Sequence, residues 1–516
     1  MSKLPREAEA RTVGRRVRRW VGRGRAVKTE ETYDLVVIGG GTAGETAARV
    51  AKRKLDRVAL VERERLGGDC LWYGCVPTKA MLASAKAARI VHQCSDFGIA
   101  AVDARLDFAA VMARKDRIVA RIEQTELPET FRREGIDVLL GPARFRTTHK
   151  LEIGDQPVTA DRFVIATGSR PAVPPIEGLN TAGYLTNVDA VKLQNLPQSL
   201  VVLGGGPIGC EFAQMFRRFG VAVTVVEMED RLLPREDEEI SGLLAASLVA
   251  EGIALRLGQR VTRVERTTEG RRLHLAQQNG PPETVTAEQV LVATGRTPRT
   301  DLNLEAAGVA YNKGGIKTDR RLRTTAQHIW AAGDVVGPYL FTHVAAYHGD
   351  IAGTNAAGGR KKVSYRALPW ATFTDPEVAR AGLTEAEARQ HYGDRVTVVR
   401  WPLAAVDRAL CEGEPAGLIK LVLTPGIWFG LVGGELVGAH IIGTQAAEWL
   451  HQLLLVMRAR LPAGLAVWPV HVYPTLALGV QQALGQLFKY SGPPTGVQVP
   501  AAGGDQERAV HGVVRP

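Results

Sequence analysis

Cysteine is scarce in this chain: five in 516 residues, an odd number. That excludes a disulfide-stapled scaffold and fits a reducing compartment, where a disulfide serves catalysis or regulation. Long apolar runs are missing too. No stretch of ~18 uncharged apolar residues occurs, so no membrane-spanning helix is expected. The rest of the composition, 45% hydrophobic and 23% charged, excludes a disordered or fibrous chain. At roughly 150 residues per domain, the length allows about three to four domains.

Acidic residues are few at the start of the chain. Residues 1–30 hold ten Lys/Arg against three Glu, a net of +7 within a total of +11. The other 486 residues carry only +4. By composition the body is therefore no nucleic-acid-binding surface, and the basicity belongs to a local arm. No apolar stretch follows the arginines, so the arm reads as neither a secretory nor a twin-arginine signal, and a cytoplasmic location is expected. Its plain reading is a solvated tail. The other is a weak electrostatic contact with anionic lipid or nucleic acid.

What is present is one unit, twice. Residues 33–38 (YDLVVI) read as a buried parallel strand and run into GGGTAG, with Gly39, Gly41 and Gly44 on the G-x-G-x-x-G pattern. A helical stretch follows, then a strand ending in Glu62. Residues 199–227 repeat this with Gly204, Gly206 and Gly209, and end in Glu227. The spacing from the middle glycine to the acid is 21 residues in both. In such a unit the glycines permit a tight turn, close approach to a pyrophosphate and close helix–strand packing. The helix N-terminus faces the phosphates, and the acid accepts from ribose hydroxyls. A lone glycine loop is often just a turn; two, each with the acid in register, are not. Each unit has a returning strand: Thr167 and Gly168 follow one, Thr294 and Gly295 the other. A further strand ends in Asp334, placed to bond a polyol of the first ligand. Two nucleotide sites imply two-electron traffic between a flavin and a nicotinamide dinucleotide.

Between the units lies GGDCLWYGCVPTK, with Cys70 and Cys75 near the start of a helical stretch. A helix N-terminus stabilises a thiolate. A zinc half-site is an alternative, but zinc needs four ligands and Cys94, Cys210 and Cys411 are scattered singly. Two inert core cysteines are the other alternative, and these would not need the flanking glycines and proline. A redox-active disulfide is the expected reading. Cys94, Cys210 and Cys411 are expected to be small buried residues.

With these motifs the chain resembles the class I pyridine nucleotide-disulfide oxidoreductases (flavoprotein disulfide reductases) over about residues 33–490. The GGDCLW wording and the VDRA segment at 406–409 are most similar to the mercuric-reductase-like branch, with dihydrolipoamide dehydrogenase beside it. The resemblance implies an α/β chain with two dinucleotide-binding domains, the second inserted in the first, and a C-terminal α+β dimerisation domain. The expected layout is a basic arm (1–32), an FAD domain (33–170, resumed at 299–365), an NAD(P) domain (171–298), a dimerisation domain (366–490) and a tail (491–516). It implies FAD, with NAD(H) preferred over NADP(H) through Glu227, and a homodimer.

Family roles carry over residue by residue. Cys75 is the thiolate against the flavin and Cys70 the exchange thiol. Lys79 reaches the flavin and pairs with Glu211. The FAD residues are Gly39, Gly41, Thr42, Ala43, Gly44, Glu62, Gly68, Lys79, Ala143, Thr167, Gly168 and Asp334, with Leu340, Phe341, Thr342 and His343 opening a helix toward it. The nicotinamide dinucleotide residues are Gly204, Gly206, Pro207, Ile208, Gly209, Glu211, Glu227, Val261 and Gly295. No metal ligand is implied.

The chain departs from the thiol-disulfide members at the C-terminal His-x-His-Pro motif. Tyr473 stands where they place the catalytic base, Leu478 where they place its glutamate, and His471 at the earlier, non-catalytic histidine. A free tyrosine titrates near ~10 and is a poor base at neutral pH. A tyrosine there is similar to mercuric reductases, yet their vicinal C-terminal cysteines are absent from residues 490–516. The expected acceptor is a small-molecule disulfide or a thiol-bound soft metal. Dihydrolipoamide dehydrogenase and an arm-tethered redox-sensing flavoprotein are the alternatives.

Overall fold

Residues 32–100, 105–277, 280–424 and 434–488 are described in a computed structural model. The arm at 1–30 and the tail at 491–516 lie outside them. The β-branched run Leu35–Ile38 forms the central strand of a five-stranded sheet. Its neighbours are Val58–Glu62 and Phe163–Ile165, and Ile329–Ala331 and Ile136–Leu140 lie at the edges. Every pairing is parallel, with Val37 opposite Leu60 and Val164. A parallel sheet is buried on both faces, which is why the central strand is apolar throughout.

These strands belong to one of two units, made of the described residues within 32–68, 126–168 and 298–363. Its core gathers Val36, Ile38, Ala59, Phe145 and Phe163, the two rings meeting edge to face at 5.1 Å. Helix Thr42–Lys52 buries Ala43, Ala47, Ala48 and Ala51. Helix Thr342–Ala356 crosses it through Gly349 and Gly353, where a Cβ would lie 2.4 Å from Ala43 O and 2.5 Å from Ala47 O. Small residues on both helices thus allow backbone-to-backbone approach.

The second unit comprises the described residues within 69–125, 169–297 and 364–488. Its parallel sheet runs Ala254–Arg256, Ala222–Val226, Ser199–Leu203, Gln289–Val292. These strands lie in the chain between Phe163–Ile165 and Ile329–Ala331, which are neighbours in the first unit's sheet: one dinucleotide fold is inserted in another. A five-stranded antiparallel sheet follows, in the order Pro369–Thr372, Glu377–Gly382, Leu436–Gly443, Leu418–Leu423, Thr397–Pro402. Lys420 on this sheet is 4% exposed and sits 2.7–3.0 Å from Asp237, Glu239 and Glu385. A buried ammonium needs such partners to remain charged.

Candidate active site

The two glycine loops have the same construction. In the first, Gly39 has φ +112°, and a Cβ on Gly44 would lie 1.8 Å from Gly39 O. In the second, Gly204 has φ +108°, and a Cβ on Gly209 would lie 1.9 Å from Gly204 O. The first and third glycines are therefore required by the protein itself. The middle ones are not. Gly41 and Gly206 cap the following helices with φ −96° and −74°, ordinary for any residue. A Cβ on Gly206 meets nothing within 4 Å, and one on Gly41 only Gly68 Cα at 3.5 Å. Neither helix has a side-chain N-cap. A glycine that packing does not need, beside an uncapped helix N-terminus, fits a dinucleotide pyrophosphate against the backbone.

Each acid is held the same way. Gly40 N–H donates to Glu62 Oε2 at 2.8 Å and Glu64 N–H to Oε1 at 2.9 Å. Gly205 N–H donates to Glu227 Oε2 at 2.5 Å and Glu229 N–H to Oε1 at 2.9 Å. The carboxylates are fixed at the loop, with lone pairs left for ribose hydroxyls.

In the first unit, Thr167 Oγ1 donates to Arg299 O at 2.7 Å, Gly168 has φ +69°, and Asp334 lies in the turn Gly333–Val336. Thr342 and His343 open helix Thr342–Ala356, Phe341 caps it, and Leu340 precedes it. Ala143 lies on strand Ala143–Phe145. In the second unit, Pro207 and Ile208 begin helix Pro207–Arg218, and Gly295 has φ +117° over open space. The Val261 side chain packs into the core with Leu203 and Val226, so only its backbone is left for a ligand.

Cys70 lies in the short helix Gly68–Trp72, and Cys75 is the first residue of helix Cys75–His92. Gly74 N–H donates to Asp69 O at 2.7 Å and closes the turn between them. A Cβ on Gly74 would stand 3.4 Å from Cys70 Cα. One turn into the helix, Lys79 Nζ meets Glu211 Oε2 at 2.6 Å. The Glu211 side chain is 7% exposed. Its Oε1 accepts from Phe373 N–H at 3.0 Å, and the Phe373 ring lies 4.4 Å from the Lys79 ammonium. The pair is thus a fixed, partly desolvated charge couple rather than surface charge. Among the described residues no group of three or more His, Cys, Asp or Glu is arranged to hold a metal.

Comparison with known proteins places this geometry. The pyridine nucleotide-disulphide oxidoreductase family model matches residues 33–349, and that family's dimerisation domain matches 368–484. The chain belongs to this family. It is 37% identical over 454 residues to a mercuric reductase of Staphylococcus aureus, covering 87% of this chain and 82% of that one. It is 35% identical over 458 residues to a dihydrolipoyl dehydrogenase of Bacillus subtilis (strain 168), covering 87% and 97%. Among solved structures, the HOCl-induced flavoprotein disulfide reductase RclA of Escherichia coli matches with TM-score 0.77 at 30% identity, over 88% of this chain and 99% of that one. A Cu(II) complex of RclA matches equally, with TM-score 0.77 at 29% identity over 89% and 100%. As a family member the chain is an FAD-dependent pyridine nucleotide-disulphide oxidoreductase with a dimerisation domain. No helix among the described residues is long and apolar enough to cross a membrane.

Tyr473, the residue expected at the base position, is 67% exposed, and its Oη donates to Asp407 Oδ2 at 3.0 Å. That hydrogen bond and the Asp407 charge raise the Tyr473 pKa, so the phenol stays protonated at neutral pH. His471 Nδ1 lies 2.8 Å from Pro469 O, and Leu478 opens helix Leu478–Gly485. Asp407 lies in the VDRA segment, but nothing in the sequence marked it as a partner of a residue 66 positions away. One expectation fails outright. Cys94 and Cys210 are buried, but Cys411 is exposed. It ends a five-residue helix, Asp407–Cys411, in which only Ala409 is buried.

Proposed function

We propose that the chain carries electrons from NADH to the Cys70–Cys75 pair and from there to a small thiol-bound soft metal or disulfide, as a homodimer in the cytoplasm. The observation that carries this reading is the charge couple Lys79–Glu211 one turn along the helix that Cys75 begins. Bound FAD would supply the two-electron relay between nicotinamide and dithiol. The disulfide form of the pair takes up two electrons and two protons. With a disulfide acceptor, the Cys70 thiolate attacks one sulfur and Cys75 resolves the mixed disulfide. The pair then returns to its oxidised form and two acceptor thiols leave. The helix N-terminus at Cys75 favours its thiolate. The residue roles and domain boundaries given by the resemblance form part of this proposal.

The state of Tyr473 supports the metal as preferred acceptor. A phenol held protonated by Asp407 donates a hydrogen bond but does not take a proton from a thiol. A thiolate-bound soft metal needs less proton shuttling than a disulfide. The mercuric reductase relative and the Cu(II) complex of RclA agree with a metal acceptor. The second reading is dihydrolipoamide dehydrogenase, favoured by coverage of 97% of that relative's length. Turnover with a panel of disulfides and thiol-bound metal ions separates the two. Low lipoamide turnover is expected, raised at most ~10²-fold by Tyr473→His with Leu478→Glu. Robust native lipoamide turnover, unaffected by Tyr473→Phe, would favour the second reading.

The surface supports assembly through the C-terminal domain. Val470 is 99% exposed, and Trp468, Val472 and Tyr473 are exposed beside it, an apolar strip that a second copy would cover. The NADH preference rests on Glu227 with the exposed Glu229 and Asp230 beside it, where a 2′-phosphate would meet like charge. The two nearby arginines have other partners: Arg231 Nη2 donates to Pro234 O at 3.1 Å, and Arg235 lies 5.2 Å over the Trp370 ring. A higher kcat/KM for NADPH than for NADH would overturn this preference.

A further inference from the structure

The segment Phe373-Thr374-Asp375 runs along two helices and touches one face of each. On helix Cys75–His92 that face carries Lys79, Lys86 and Arg89, and on helix Pro207–Arg218 it carries Glu211, Gln214 and Arg218. Phe373 meets the first residues of both faces, through its amide on Glu211 and its ring over Lys79. Asp375 meets the later ones. Its backbone is clamped by Gln214: Asp375 N–H donates to Gln214 Oε1 at 2.8 Å, and Gln214 Nε2 donates to Asp375 O at 2.7 Å. Its carboxylate receives Arg89 at 2.8 Å, Arg218 at 2.9 Å and Lys86 at 3.2 Å. Glu414 and Glu251 balance the outer sides of the two arginines. Burial alone would raise the Asp375 pKa, but Arg218, Lys86 and Arg89 pull it below the usual carboxylate range. The carboxylate is therefore ionised at neutral pH and holds the two helices to the segment.

We propose that Asp375 is a positioning residue for the Lys79–Glu211 couple: its three ion pairs hold the segment so that the Phe373 amide stays on Glu211 Oε1. With that amide in place, Glu211 has a single orientation and keeps Oε2 on Lys79. The catalytic meaning of the couple rests on the proposed function. The clasp itself does not.

Asp375→Asn, in the flavin-loaded full chain, keeps the size and the backbone clamp but removes the charge. The control is Glu387→Gln, which weakens the Thr384 cap and the Arg380 ion pair elsewhere in the same unit. Two readouts decide. Hydrogen exchange at the Phe373 amide should quicken by about tenfold or more in Asp375→Asn, the scale of a lost hydrogen bond to a charged group, and stay unchanged in Glu387→Gln. The limiting rate of flavin reduction by NADH should fall by about tenfold in Asp375→Asn, with its half-saturating NADH concentration little moved. If the effect travels through Glu211, adding Asp375→Asn to Glu211→Ala should slow this step no further. Unchanged Phe373 exchange in Asp375→Asn overturns the clasp whatever the kinetics, even if Glu211→Ala does not fold. Additive kinetics overturn the route through Glu211. Faster exchange with full reduction rates in both single variants upholds the clasp and overturns the role given to the couple.

Discussion

Gly206 and Gly209 are three residues apart and have different reasons to be glycine. A Cβ on Gly209 would collide with Gly204 O, whereas one on Gly206 points into open space. Gly206→Ala should therefore fold with unchanged or slightly higher stability, since alanine has less freedom to lose on folding. It should bind NADH more weakly, because the methyl occupies the approach to the helix N-terminus. Thermal unfolding without nucleotide, together with NADH titration, checks this; an alanine variant that binds NADH as the native chain does would contradict the loop's assignment. The sequence placed both glycines but could not separate their roles, because the pattern carries no distances. It also could not find Asp407 or Asp375. Their partners lie 66 and up to 289 positions away, and only tertiary folding brings such side chains together. The exposure of Cys411 is illegible for a related reason: a small apolar residue carries no mark of which side of a short helix it occupies.

At the scale of elements, legibility followed locality. Strand Leu35–Ile38, helix Thr42–Lys52 and their repeats were readable because an apolar run, a glycine loop and an acid in register are all local signals. The placing of the cysteine helix alongside Pro207–Arg218 carries no local signal, and the pairing of Lys79 with Glu211 that marks it was legible only through the family resemblance. Helix Thr42–Lys52 also carries an unexpected group in its first turn. Glu45 is buried, accepts from Gly67 N–H at 3.0 Å and lies 3.8 Å from Arg49. Burial first, then the neighbouring Glu126, pushes its pKa from the usual 4.5 up to about 9, while Gly67 and Arg49 oppose the shift. An acid raised on folding is neutral in the native chain and ionised in the unfolded one between those values. Its stabilising contribution is complete below pH 4.5 and is lost as pH rises toward about 9. Chemical denaturation of the native chain should show stability falling from about pH 6 to about pH 9, and Glu45→Gln should flatten that slope. Parallel pH profiles for the two proteins would contradict the neutral state of Glu45.

At the scale of the molecule, one chain carries two nucleotide folds, a cysteine pair and a dimerisation domain. The central claim is that Cys70 and Cys75 are a redox centre in series with FAD rather than structural thiols. In that case each chain stores two electron pairs, one on the flavin and one on the disulfide. Anaerobic reductive titration of the flavin-loaded protein tests this most directly. The native chain should take up about four electrons, and Cys70→Ser about two with its flavin still fully reducible. Equal uptake of about two electrons by both proteins would contradict the account.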